Sequence, residues 1–546
     1  MIKKRWLSVL LVVVILLFAA FTGCGKGSDE PSGKTPADSA TDGNEKKEGV
    51  TPVNKEEVEI SVALWDLSEF GKDEVGQAIA DKLKVKINPV PLSWDNDVEQ
   101  IKLFAATGEM PDIVATYTAD DPARFYSWID QGITRAIPAD MVAKYPNLQK
   151  VFENSPIGNA IRDIKGEYRY IPRPSSKSNL YLANQQAIYY RKDWLANVGI
   201  DKVPETMDEF YQMLVAFKED DPNQNGVADT YGFTASKMLP LTTFFPSYGI
   251  DPESWVKEDD GKWVPGYLSE RNIEPLKYFQ ELYREGLLDP EFTIAGWKQA
   301  IQKITSGSFG AMIRNADVHW LNKTINSIFG EANPDVENPL DVLGVMGPLK
   351  KDADSEAKWP MFLDAGGSEI SSEVDDAKLD RILELYEYLL SDEGRMLLRY
   401  GIENKNYKMN GDKIELINDP ETNEPYVMSV KFPSTVIGSL ADWDFDNDAD
   451  PNSLVQIPQE YRELGKTVRE EYNKAAMDQN LAVKYLSTPT KDTLTISYQD
   501  SYTQMIIGEE DIETAFPKFV EECMAKDLGK AIEEVNAVVK EKGLDK

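Results

Sequence analysis

A short run of oxygen-bearing side chains carries the sharpest chemistry in this 546-residue chain. Asp221, Asn223 and Asn225 stand at positions 1, 3 and 5 of an EF-hand-type loop, with Gly226 at 6, Val227 at 7 and Asp229 at 9. A hard cation such as Ca2+ takes about six to eight oxygens, and alternating short Asp and Asn side chains wrap a loop around one ion. The glycine permits the sharp turn, and Val227 would offer its backbone carbonyl. Gly232 occupies position 12, where a bidentate Glu is usual, so water or a distant carboxylate would have to complete the shell. The alternative is an Asx-rich loop that ends a helix and holds no metal. A second acidic run, Asp442, Asp444, Asp446, Asp448 and Asp450, lacks a glycine at the sixth place and reads as a solvated loop. Trp443 inside it is an aromatic in polar company and a candidate ring platform.

Other chemistries are excluded or bounded. The single histidine, His319, rules out multi-histidine zinc sites and His-Glu-x-x-His proteases, and it is the only ring on which a Ser-His-Asp triad could be built. No Gly-x-Ser-x-Gly elbow and no Walker A loop is present. Lys plus Arg number 59 against 93 Asp plus Glu, a formal charge of −34, and a surface that acidic repels nucleic-acid backbones. Hydrophobic residues at 42% provide a sizeable core.

The N-terminus reads as a targeting signal. Lys3, Lys4 and Arg5 precede an apolar run, Trp6 to Phe21, and the small pair Thr22-Gly23 then leads to Cys24. That is the layout of a bacterial lipoprotein signal, in which the cysteine is lipidated and becomes the mature N-terminus. Cys523 would then lack a disulfide partner, since the chain has two cysteines. Removal of residues 1–23 takes away three basic residues and no acid, moving −34 to −37. Residues 25–54 are rich in Gly, Ser, Thr, Pro, Asp, Glu and Lys and hold no aromatic, a composition that makes a flexible tether.

The body that follows alternates strands and helices. Val58 to Leu64 reads as a strand, Glu74 to Leu83 as a helix, Val85 to Pro91 as a strand, Asp95 to Thr107 as a helix and Ile113 to Thr116 as a strand. This β-α-β-α-β order predicts a parallel sheet covered by helices, with ligands at the carboxyl ends of its strands. Trp65, Asp66, Tyr117 and Thr118 fall at those ends. Thr206 to Glu209 is a capping box opening a helix to about Lys218. Further helices are expected over Ile273 to Leu287 and Lys378 to about Tyr400, and a loop over Gly438 to Ser453.

Several segments carry a resemblance. They include Thr107-Gly108-Glu109-Met110-Pro111-Asp112-Ile113-Val114, Tyr190 to Leu195, Pro204 to Phe210, and Phe217 to Gly232 with its Asp221-Pro222-Asn223-Gln224-Asn225-Gly226 core. Gly286-Leu287-Leu288-Asp289-Pro290, Leu390-Ser391-Asp392-Glu393-Gly394 and Tyr400-Gly401-Ile402-Glu403-Asn404 follow in order. In that order, after a lipobox, the chain resembles the extracellular solute-binding lipoproteins of bacterial carbohydrate ABC importers, in the branch of the alginate-oligosaccharide-binding proteins. The resemblance implies a periplasmic-binding-protein-like α/β fold. Two lobes, each a parallel-type sheet with helices, are joined by a hinge that the chain crosses several times. The expected division is 56–184 with 364–435 for one lobe and 185–363 with 436–546 for the other. Crossings are expected near Gln185 to Tyr189, Leu363 to Gly367 and Thr435 to Gly438. In such proteins an acid after the position-9 Asp can complete a cation shell. Here Thr230 holds that place and joins Asp221, Asn223, Asn225, Val227 and Asp229 as the candidate calcium set, with a structural role.

A cleft for sugars needs Trp and Tyr to stack on C–H faces and charged or amide groups for the hydroxyls. The 11 Trp and 24 Tyr suffice to line a cleft as well as fill a core. Trp65, Tyr117, Trp297, Trp320, Trp359 and Trp443 are the candidate ligand-binding rings, with Asp66 and Arg314 as polar partners. The implied function is capture of an oligosaccharide between the lobes by a non-enzymatic monomer. The monomer would be lipid-anchored through Cys24 at the outer face of the cytoplasmic membrane and would deliver its ligand to the ABC permease subunits. An extracellular carbohydrate-active enzyme and a sugar-sensing lipoprotein remain the alternatives.

Overall fold

Continuous burial at the end of the first strand already announces a sheet covered on both faces. In Val58–Trp65 the residues Ile60, Val62, Ala63 and Leu64 are fully buried, as expected where helices cover both sides of parallel strands. The computed structural model describes residues 56–544 apart from 95, 118–120, 174–182, 238, 362–365, 424 and 442–456. Helix Glu74–Leu83 starts where the Asp73 carboxylate accepts from the Gly76 N–H, and it stops at Lys84, whose φ is 52°. It buries Val75, Ile79 and Leu83. Strand Val85–Leu92 then lies parallel to the first, from Val58 beside Val85 to Trp65 beside Leu92. Strand Ile113–Thr116 joins on the other side of the first strand, with Ile113 beside Val62.

The chain later returns to complete this sheet with Gly367–Ile370, antiparallel to Ile113–Thr116, and with the short Ile171–Pro172 at the edge. The second sheet has the order Leu343–Met346, Gln186–Arg191, Phe309–Asn315, Tyr231–Thr234. It is mostly antiparallel, and only its last pair runs parallel. That departs from the expected parallel-type sheet in each lobe. Gln186–Arg191 enters this sheet from the crossing, and Phe309–Asn315 returns beside it toward the crossing, which forces opposite directions.

Two cores separate cleanly along the sequence. One contains Ile60, Val62, Ile113, Ile171, Ile370, Ile382, Tyr386, Ile437 and Leu440. The other contains Ala183, Tyr189, Trp194, Phe210, Phe233, Met312, Trp359, Tyr472 and Phe516. The chain therefore passes from the first core after Ile171 to the second at Ala183. It returns between Met361 and Gly367, and passes over again between Ala441 and Ile457. The first passage comes earlier than Gln185 and the third later than Gly438, because Leu440 and Ala441 still pack in the first core. The outgoing and returning chains are bonded on both sides of their crossing. The Arg173 N–H donates to Gly366 O at 3.1 Å, and the Asn184 N–H donates to Pro360 O at 2.8 Å. A third, smaller cluster joins Phe125, Tyr126, Ile157, Ile161 and Tyr170 of the first part to Tyr485 near the C-terminus. The Tyr126 hydroxyl donates to Tyr485 O at 2.5 Å. Residues 436–546 thus do not all belong to the second core.

Local signals hold where they are strong. Thr206 caps helix Met207–Glu219, with reciprocal bonds of 3.2 Å between Thr206 and Glu209. The long helix expected over Lys378 to Tyr400 is two, Asp376–Leu390 and Asp392–Tyr400. Ser391 breaks it at ψ 158° and caps the second helix by accepting from the Gly394 N–H. Gly394 fits only because it lacks a side chain: a Cβ there would lie 2.0 Å from Tyr388 O. Of the expected Gly438 to Ser453 loop, residues 442–453 lie outside the described residues, and the start belongs to the 3-10 helix Pro433–Leu440. No helix among the described residues is long and apolar enough to cross a membrane.

Candidate functional site

The first strand ends on Trp65, and the chain turns at once through Asp66, whose φ is 60°. The Trp65 ring stacks on Trp94, with centroids 4.5 Å apart and planes 7° from parallel. Tyr117, directly after strand Ile113–Thr116, meets Trp65 at 5.3 Å. Trp65 Nε1 donates to Asp97 at 3.1 Å, and Trp94 Nε1 donates to Asp66 at 2.8 Å. The Arg173 guanidinium lies 5.7 Å from the Trp65 ring and 5.9 Å from Tyr117. Trp65 itself is only 2% exposed, whereas Trp94 is 53% and Tyr117 41% exposed. The ring expected to face a ligand is thus the backing, and its two neighbours present the apolar surface. Trp94 escaped the sequence reading. The signal was its place two residues past Leu92, which the parallel register sets beside Trp65.

The second cluster is built at the end of strand Phe309–Asn315. Arg314 pairs with Ala187 there, and Asp317 then caps the short helix Val318–Leu321 by accepting from the Trp320 N–H at 2.9 Å. Trp320 meets Trp297, the first residue of helix Trp297–Thr305, edge to face at 5.4 Å. The Arg314 guanidinium lies 4.1 Å from the Trp320 ring and 4.8 Å from Trp297. The Lys323 ammonium lies 4.6 Å from Trp320, and Lys298 lies 5.3 Å from Trp297. Lys323 sits in a π-helical stretch, Asn322–Phe329. Partial burial, and after it the like charges of Arg314 and Lys298, pull Lys323 below the usual lysine range. Burial pushes the fully buried Asp317 carboxyl up. The exposed His319 ring stands 6.1 Å from Trp320.

Register shows where these clusters lie. Thr116 pairs with Gly367, the first strand residue after the return crossing, and Arg173 stands at the outgoing one. Arg314 and Asn315 pair with Ala187 and Gln186, directly after the outgoing crossing. Each cluster therefore occupies the crossing end of its own sheet. Of the candidate residues, Trp65, Asp66 and Tyr117 come together in the first cluster, and Trp297, Arg314 and Trp320 in the second. Trp359 joins neither. It is fully buried in the second core, edge-on to Phe244 at 5.6 Å and Tyr472 at 4.9 Å, because its strand Trp359–Pro360 is sealed against Ala476–Met477. Trp443 and Cys24 lie outside the described residues.

The acidic loop is folded in the expected sense. Asp221, Gln224 and Gly226 all take positive φ, at 47°, 56° and 79°, which coils the backbone tightly. The Asp221 carboxylate accepts from the Gly226 N–H at 2.9 Å and the Asn225 N–H at 3.2 Å. The Asn223 and Asn225 amides both donate to Asp229, at 3.0 and 3.1 Å. Four side chains thus converge, two of them carboxylates, and a hard cation would replace those amide donors with the amide oxygens. These residues fit a calcium ion. Thr230 does not belong with them: it is buried, and its hydroxyl donates to Phe217 O at 2.8 Å, the end of the preceding helix. Nor can position 12 supply a side chain, since a Cβ on Gly232 would lie 2.8 Å from Leu287 O. Among the described residues no cluster of three or more His, Cys, Asp or Glu side chains is gathered to hold a metal ion, and the acidic loop brings two carboxylates and two amides.

Residues 69–396 match the model of the bacterial extracellular solute-binding proteins. The chain is 26% identical over 343 residues to lipoprotein LipO of Bacillus subtilis, covering 60% of this chain but 62% of LipO. It is 26% identical over 425 residues to the polygalacturonan/rhamnogalacturonan-binding protein YtcQ of the same species, covering 75% and 76%. The Streptococcus pneumoniae substrate-binding protein FusA in complex with kestose superposes with a TM-score of 0.65 at 16% identity, over 90% of this chain and all (100%) of FusA. FusA is also known as an EF-hand mutant, which superposes at 0.63. Two sheets that turn their aromatic ends toward shared chain crossings, and a family match running from the first helix into the second half of the chain, place this protein in the bacterial extracellular solute-binding protein family.

Proposed function

We propose that this protein captures an oligosaccharide between two lobes and hands it to the permease of a carbohydrate ABC importer. The lobes are 56–173 with 366–441, and 183–361 with 457–544. The observation that carries the reading is the pair of aromatic clusters at the crossing ends of both sheets. Exposed Trp94 and Tyr117 on one side, and Trp297 with Trp320 on the other, suit the C–H faces of sugar rings. The paired segments at Arg173–Gly366 and Asn184–Pro360 serve as a hinge, and ligand binding shifts an open–closed equilibrium by its differential affinity for the closed form. FusA in complex with kestose, and YtcQ as a polygalacturonan/rhamnogalacturonan-binding protein, support a saccharide ligand.

Cys24 carries the lipid that holds the monomer at the outer face of the cytoplasmic membrane. Ca2+ on Asp221, Asn223, Asn225 and Asp229, with the Val227 carbonyl, ties down the loop between helix Met207–Glu219 and strand Tyr231–Thr234. A binding role is supported by FusA, which is an ABC-transporter substrate-binding protein.

A thermal-shift screen of the full chain in detergent tests this, against mono- and oligosaccharides, with calcium or chelator. A ligand at 100 times its Kd adds about 2.7 kcal/mol of stability. One sugar class that raises Tm and is recovered intact supports capture; a sugar recovered cleaved supports the enzyme. A flat panel ends the saccharide reading. Chelator is expected to lower Tm by a few degrees, and Asp221→Ala to abolish that sensitivity; a melt indifferent to chelator removes the calcium site.

A further inference from the structure

The two clusters differ in charge. Around Trp297 and Trp320 stand three cations, Lys298, Arg314 and Lys323, and none has an acidic partner within ion-pair distance among the described residues. This occurs in a chain with 93 acidic and 59 basic residues. Some shielded basic groups elsewhere do find acids: Lys303 reaches Asp289 at 2.6 Å, Lys378 reaches Asp112 at 2.7 Å, and Arg124 reaches the buried Glu369 at 2.8 Å. Asp317 lies near the second cluster and acts on Arg314. It is fully buried, one oxygen accepts from the Trp320 N–H, and the other has no hydrogen-bond partner. Nε of Arg314 is likewise buried without a partner. Like charges gathered beside apolar rings repel one another and are poorly hydrated, and an anion arriving between them relieves both costs.

We infer that the ligand is an anionic oligosaccharide whose acid group docks among Arg314, Lys323 and Lys298 while a sugar ring packs on Trp320 and Trp297. This rests on the saccharide reading above. The planar fork of Arg314 matches a carboxylate or a sulfate, and the two lysines add point charges. The first cluster shows Asp66 and Asp97, so the acid group is directed to the second lobe. The net charge of −34 does not oppose this at contact, because salt screens distant charges over about 8 Å.

Calorimetry on the full chain in detergent decides it. The probes are uronic-acid oligomers of several linkages, the same oligomers as methyl esters, and sulfated neutral oligomers of equal length. One acid oligomer is expected to bind at least about tenfold tighter than its uncharged form, the scale of a charge-assisted hydrogen bond. Arg314→Gln and Lys323→Gln should each narrow that ratio, weakening the acid form more than the ester. Preference for the sulfated oligomer supports the anion site and identifies sulfate as its group. Esters that bind as tightly as acids overturn the inference and leave the saccharide reading standing. If nothing in the charged or uncharged set binds, both fall. A charge preference untouched by either substitution overturns the placement. The wild-type comparison needs no variant, so a misfolded substitution does not blunt it.

Discussion

The two aromatic clusters solve the same packing problem in opposite ways. In the first, each indole N–H is paired with a carboxylate, Trp65 with Asp97 and Trp94 with Asp66, and two stacked rings hold one another flat. In the second, the rings meet edge to face and the charged groups around them lack carboxylate partners among the described residues. The first is a finished platform. The second is the one that the proposed anionic ligand would complete. A satisfied polar group fixes geometry, while an unsatisfied one reserves its interaction energy for a ligand.

The severest check on the contrast lies outside both clusters. Trp359 has a ring as large as any in them, but it is fully buried in the second core. Trp359→Ala should cost about 3–5 kcal/mol of stability, measured by denaturant unfolding, while the Kd of the folded fraction stays unchanged. A selective loss of ligand affinity would return Trp359 to the binding site. Next come the cluster rings. Trp320→Ala removes the surface beneath Arg314 and Lys323 and should weaken binding by about 2 kcal/mol, roughly thirtyfold in Kd. Trp94→Ala should weaken acid and ester forms of the ligand alike, whereas Trp320→Ala should weaken the acid form more. Equal behaviour of the two variants would erase the difference between the clusters.

A smaller effect concerns pH. The pKa of Lys323 in the folded chain is depressed below 10.5, by burial first and then by Arg314 and Lys298. Its charged form therefore lowers stability below that folded value, and the loss is relieved as pH rises through it. Affinity for an anion runs the other way and falls over the same alkaline window, below the ordinary lysine range. Calorimetry from pH 7 to about 10 should show that fall, and Lys323→Arg, which stays charged, should flatten it. The smallest change is expected from Asp66→Asn. Its amide oxygen can still accept from Trp94, so stability should shift by less than about 1 kcal/mol, read from Tm.

Much of the frame was legible because its causes are local. Alternation of apolar and polar residues at its start marked Val58–Trp65, and the Thr206–Glu209 box marked its helix. Alternating Asp and Asn marked the loop from Asp221 to Asp229, whose convergence needs only backbone turns inside nine residues. The family resemblance led to expected crossings near Gln185, Leu363 and Thr435, while the switches between the two cores fall a few residues away at the first and third, since apolar side chains such as Leu440 suit either core. Ser391 was read as helix interior, because its cap bond to Gly394 competes with a strongly apolar periodicity on both sides.

What the sequence determined by itself was therefore the α/β frame, the acidic loop and several of the aromatic residues that cluster. Those follow from contacts within a turn or a strand period. Tertiary structure alone decided which tryptophans face outward. Trp94 meets Trp65 only through a parallel register across 28 residues of intervening sequence, Trp359 is sealed by a strand from near residue 476, and Arg314 reaches its rings from a strand that neither ring belongs to. A side chain's type sets which interactions it can make, and only the folded chain brings the partner, or leaves the place open.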